Sequence, residues 1–71
     1  MSEPMTWTQA DFVKRWNERM SDPKLDERVG QAAFNTLVEF DVALAELIVG
    51  TNNDPFYKDD VVPDFLQEVF G

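Results

Sequence analysis

The chain has 71 residues, 44% of them hydrophobic, nine aromatic side chains and a formal net charge of −8. That is apolar content for one small domain and too much for a disordered tail. It contains no cysteine and no histidine, which excludes disulfides and thiolate metal sites and removes the usual general base and the commonest zinc ligand.

In chain order, the N-terminal "MSEPMTWTQADF" lacks the basic flank and apolar run of a signal peptide. The longest apolar runs, "VALA" and "LIV", are far too short to cross a bilayer, so the expectation is a soluble, cytoplasmic protein. A first helix is expected over about 9–21. Thr8 and Asp11 approximate a capping box, Trp7 and Phe12 a hydrophobic staple, and Phe12, Val13, Trp16 and Met20 one apolar stripe. "SDP" ends it, with Asp22 placed to cap the next helix and Pro23 at a first helical position.

A second helix is expected over about 25–40, with Val29, Ala33, Leu37 and Phe40 as its stripe, broadened by Ala32, Phe34 and Val38. Gly30 costs about 1 kcal/mol relative to Ala inside a helix, so its position suggests a close helix crossing. Asp41 is expected to cap a third helix over about 42–49, stopped by a left-handed Gly50, with Leu44, Leu47 and Ile48 inward and Glu46 in solvent. After the loop "TNNDP", a fourth helix over about 61–70 tolerates Pro63 only in its first turn. Val62, Phe65, Leu66, Val69 and Phe70 form its apolar face, so it should dock on the core. The expected fold is all-α: a compact single domain, 1–71, of three to four short helices.

The charge is unevenly placed. Met1–Thr36 carries six acidic and five basic residues, whereas Leu37–Gly71 carries eight acidic residues against Lys58 alone. Such a half repels nucleic acid and anionic membranes and favours a protein partner with a basic surface. The plain alternative is that acidity only solubilises a small domain.

Four chemistries compete against this background. Asn52, Asn53, Asp54, Asp59 and Asp60 offer calcium-type oxygen ligands, but the ligand spacing, central glycine and twelfth-position Glu of a calcium loop are absent, and these are ordinary turn residues. No nucleophile–base pair or phosphate-cradling glycine loop is present, so no enzymatic activity, metal or cofactor is expected. A DNA-reading third helix would need Lys or Arg, and "VALAELIV" has none. Mimicry of nucleic acid survives better: Asp41, Glu46, Asp54, Asp59, Asp60, Asp64 and Glu68 are candidates, and many of them would cluster if the third and fourth helices pack side by side. Among the aromatics at helix ends or in the loop (Trp7, Phe40, Phe56 and Tyr57), Phe56 reads as a core plug, and Tyr57 is balanced between core and partner.

The segments "GQAAFNTL", "ALAELIVGTNNDPFYKDD" and "VPDFL" resemble a pattern in short proteins of tailed phages, in which a G-Q-A-x-F/Y-N-x-L helix leads through L-A-x-x-I-x-G-T and D-P-F-Y/H to a short F-L helix. The matching positions are Gly30, Gln31, Ala32, Phe34, Asn35, Leu37, Leu44, Ala45, Ile48, Gly50, Thr51, Asp54, Pro55, Phe56, Tyr57, Phe65 and Leu66, within about 29–66. Val42 stands where the similar proteins often carry Pro, which should loosen the helix start and leave the fold intact. The resemblance implies a phage or prophage origin and a host-cell cytoplasm, and brings no catalytic or binding residue with it.

The expected function is therefore a small acidic, non-enzymatic binding protein that modulates a host or phage protein. Tyr57, Asp59, Asp60, Asp64, Glu68, Glu46 and Asp41 are its candidate contact residues. The alternative is an assembly protein, a homo-oligomer whose helix faces, including Trp7 and Phe40, complete their cores across a symmetric interface.

Overall fold

Local sequence accounts for most helix boundaries. The computed structural model describes residues 7–71, and among them places α1 at Gln9–Ser21, α2 at Val29–Phe40, α3 at Val42–Ile48, one 3-10 turn at Asp59–Val61 and α4 at Val62–Phe70, with no strand. The architecture is all-α. α1 opens on the expected capping box: the Asp11 amide donates to the Thr8 hydroxyl at 3.1 Å and the Thr8 amide to the Asp11 carboxylate at 3.0 Å. The Trp7 and Phe12 rings stack at 6.0 Å, completing the staple. Asp41 caps α3 by accepting from the Leu44 amide at 3.1 Å. Gly50, at φ 77°, makes the left-handed turn after α3, and Pro63 sits in the first turn of α4.

The start of α2 differs from the expectation. Residues 23–25 form a turn, Asp26 takes a left-handed φ of 49°, and Arg28 is extended, so the helix begins at Val29 rather than near Leu25. Asp22 caps only that turn, accepting from the Lys24 amide at 2.9 Å. The physical reason lies in Glu27, whose carboxylate is held by Arg19 of α1 and by the Asn35 amide of α2. A helix running from Leu25 would forgo Glu27's present place between these two groups.

α2 is the axis of the molecule: α1, α3 and α4 each lay a face on it. Phe12, Ala33, Phe34, Leu37, Ala45, Ile48, Phe65 and Val69 are buried together with Trp7, and Trp16, Phe40, Leu44, Phe56, Leu66 and Phe70 pack around them. The last helix is docked, as its apolar stripe requires. Four apolar positions expected inside face water instead: Val13, Val29, Val38 and, most of all, Leu47, which is 75% exposed. In α3 the inward direction belongs to Leu44, Ala45 and Ile48, which puts Leu47 on the far side.

Gly30 does mark a close approach, but its neighbour is a loop and not a helix. A Cβ at Gly30 would lie 2.1 Å from the Pro55 carbonyl oxygen. Pro55 itself is fully buried, so the loop 51–58 is clamped onto α2 at this point. Trp7 stacks on Phe40 at 5.2 Å, so the two rings that the assembly alternative would bury across an interface pack on each other within the chain.

Candidate functional site

Two features gather the candidate residues: an acidic surface on the second half of the chain and a groove beside Tyr57. Their electrostatics depend on where the arginines go. Arg15 and Arg19, on one face of α1, reach across to Glu39 on α2, and Arg19 also grips Glu27 at 2.8 Å. The Arg19–Glu27 pair is the protected part of this cluster, with side-chain exposures of 14% and 6%. Its hydrogen bond holds the Glu27 carboxyl below the ordinary carboxylate range against the opposing pull of burial. For Glu39 burial pushes upward, but hydrogen bonds from Arg15 and Arg19 outweigh it and the net direction is down. The same contacts raise both guanidinium groups, through Glu39 for Arg15 and through Glu27 for Arg19.

Among the described residues Arg15 pairs with Glu18 and Glu39, and Arg19 with Glu27 and Glu39, and no ion pair includes a carboxylate from Asp41 onward. The seven carboxylates after Glu39 have only Lys58 as a basic neighbour in their half of the sequence.

The seven predicted contact residues separate into two groups. Asp41 is the α3 cap, and Asp59 caps α2: its Oδ1 accepts from the Gly30 amide at 3.0 Å. α2 has no side-chain cap from Arg28, so this contact from 29 residues away supplies the missing acceptor. Both positions are thus tied to helix ends. Asp60, Asp64, Glu68, Glu46 and Tyr57 are exposed. Asp60, Asp64 and Glu68 recur every four residues from the 3-10 turn through α4, which makes them one stripe. Glu46 stands apart on α3. The condition under which these carboxylates would cluster, α3 and α4 side by side, is not met, because each takes its main interhelical contacts from α2.

The groove was not visible in the sequence. It is an open cavity of about 250 Å³, lined by Phe34 and Asn35 of α2, Val49 at the end of α3, and Asp54, Phe56 and Tyr57 of the loop. Phe56 meets Phe34 edge-on at 6.0 Å, closing the core as expected, and Tyr57 meets Phe56 at 4.7 Å while remaining 78% exposed. Asp54 fixes the loop with both oxygens, accepting from the Gly50 amide at 2.8 Å and the Phe56 amide at 2.9 Å. The D-P-F-Y run was the available signal: an Asx turn at Asp54 is followed by two adjacent aromatics, of which Phe56 packs on Phe34 and Tyr57 is exposed.

Among the described residues no group of three or more His, Cys, Asp or Glu side chains is arranged to hold a metal ion. No helix among them is long and apolar enough to cross a membrane. Comparison with family models, curated proteins and solved structures finds no match for this chain.

Proposed function

We propose that this chain is a non-enzymatic binding protein that engages a basic surface on a host or phage protein through the Asp60–Asp64–Glu68 stripe and Tyr57. One observation carries the reading: the basic side chains that make ion pairs are spent on Glu18, Glu27 and Glu39, leaving the exposed stripe on α4 without an ion-paired counter-charge. Like charges four residues apart cost a helix a few tenths of a kcal/mol per pair. Glu68 also lies toward the C-terminal end of α4, where the helix dipole disfavours a negative charge. A cationic partner relieves both costs. Nucleic-acid mimicry is the special case in which that partner's basic groove normally holds phosphates. The resemblance to short tailed-phage proteins supports this setting, in the cytoplasm of an infected or lysogenic cell.

The test is capture from bacterial lysate at low and high salt, with the native chain and with an Asp60→Asn, Asp64→Asn, Glu68→Gln variant. The expected result is a basic protein retained by the native chain at low salt, released at high salt and lost in the variant. Retention that ignores both salt and the three substitutions would sink the proposal.

A second reading, self-assembly, is favoured by the apolar outer face of α3, where Val42 and Leu47 are exposed. Light scattering across a concentration series decides it: a strict monomer at high concentration removes this reading. Glu46 on the same helix and a net charge of −8 weigh against it.

A further inference from the structure

The groove between α2 and the loop has a chemistry more selective than the acidic stripe, and we infer that it is an anchor for a single arginine side chain of the partner. The inference rests on the proposed binding function and names the group recognised. At about 250 Å³ the groove lies below the roughly 300–1,000 Å³ of small-molecule sites, which suits one long side chain rather than a whole metabolite. Its walls are aromatic and aliphatic: Phe34, Phe56, Tyr57 and Val49. The charged group in its lining is a carboxylate, Asp54, whose position is fixed by two backbone amides and which retains further lone pairs for a donor. Asn35, the polar residue that α2 contributes to the lining, donates one amide hydrogen to Glu27 and keeps its carbonyl oxygen as an acceptor.

An apolar cleft with acceptors at its wall matches a side chain that is apolar along its stem and donor-only at its head, which describes arginine and lysine. The exposed Tyr57 ring selects between them, because a planar guanidinium stacks on an aromatic face as an ammonium cannot. Charge complementarity points the same way: the half of the chain that builds most of this groove has eight acidic residues and one lysine. A second copy of this chain is the poorer occupant, since two molecules of charge −8 repel one another and two of its three arginines, Arg15 and Arg19, are already engaged.

The test uses the full ¹⁵N-labelled chain and three blocked pentapeptides, acetyl-Gly-Gly-X-Gly-Gly-amide, with X as arginine, citrulline or norleucine. Citrulline keeps the shape of arginine without its charge, and norleucine keeps only an apolar stem. The expected result is saturable amide shifts at Phe34, Asn35, Val49, Asp54, Phe56 and Tyr57 that are largest for the arginine peptide. Tyr57→Ala should weaken that binding roughly two- to fivefold, and Tyr57→Phe should retain it. Because Tyr57 is an exposed side chain, neither variant should alter the native spectrum elsewhere. Equal shifts with norleucine would make the groove a plain apolar cleft and overturn the inference. Shifts confined to Asp60, Asp64 and Glu68 would overturn it while leaving the acidic-stripe reading standing. No shifts anywhere would overturn the inference, and the acidic-stripe reading would then rest on the salt-dependent capture alone. Groove shifts that appear on concentrating the protein alone, with a doubled mass, would assign the groove to a second copy.

Discussion

At the scale of single residues, two positions show how much of this fold depends on contacts distant in sequence. Gly30 lets the Pro55 carbonyl and the Asp59 carboxylate reach the first turn of α2, where a Cβ would lie 2.1 Å from the Pro55 oxygen. That neighbour is backbone of a clamped loop, so Gly30→Ala cannot be absorbed by a rotamer change. We expect a loss of about 2–3 kcal/mol, visible as a lower urea midpoint, despite the better helix propensity of alanine. Asp59 and Asp60 are adjacent, exposed and equally charged, yet only Asp59 accepts from the Gly30 amide. Asp59→Ala should cost about 1 kcal/mol and Asp60→Ala less than about 0.5 kcal/mol in the same denaturation assay. Equal losses would show that the cap contributes nothing. A binding defect in an Asp59 variant therefore has to be corrected for stability before it says anything about a partner.

At the scale of elements, the helices whose ends are written in nearby residues were legible, and those finished by another part of the chain were not. The capping box of α1 involves residues three apart, and Thr8→Ala should cost about 1 kcal/mol with helical content in the first thirteen-residue helix fraying first. Hydrogen exchange of the Gln9–Phe12 amides measures this. The start of α2 departs from the sequence pattern because its cap, Asp59, lies in a different element and because Glu27 is drawn toward Arg19. In α3, seven residues make under two turns, and an apolar run of that length does not define which side faces inward. The pattern alone admits Leu47 to the core. Its side is set by where α2 lies.

At the scale of the whole molecule, the ion cluster between α1 and α2 predicts the acid response. Glu27 and Glu39 titrate below the ordinary carboxylate range in the folded chain, so in the unfolded chain they take up protons at higher pH. Their stabilising contribution is thus fully present above the unfolded carboxylate value of about 4.3. It is lost as pH falls through the lowered native values. A plot of unfolding free energy against pH should be flat from neutrality to about pH 4.5 and fall below it. Glu27→Gln should flatten that acid limb and, by weakening hydrogen bonds to a charged partner, cost about 2 kcal/mol at neutral pH. Glu39, with a side chain 39% exposed, should contribute less because solvent screens it. An unchanged acid limb in Glu27→Gln would show that the cluster is not what titrates.

Sequence by itself determined that the chain is all-helical, where α1 and α3 are capped, that Gly50 turns left-handed and that the acid lies in the second half. Each of these depends on residues a few positions apart or on composition, and such local terms survive in any tertiary arrangement. Tertiary structure alone decided what the acidic residues do. It assigned Asp59 to the end of α2, left Asp60, Asp64 and Glu68 in solvent, and separated them from Glu46 by placing α2 against both acidic helices. It also built the groove, whose walls come from α2, the end of α3 and the loop after it. Residues with the same charge and the same exposure became a helix cap or an open surface according to which backbone amide lay within about 3 Å, and that distance is set by packing, not by neighbours in the chain.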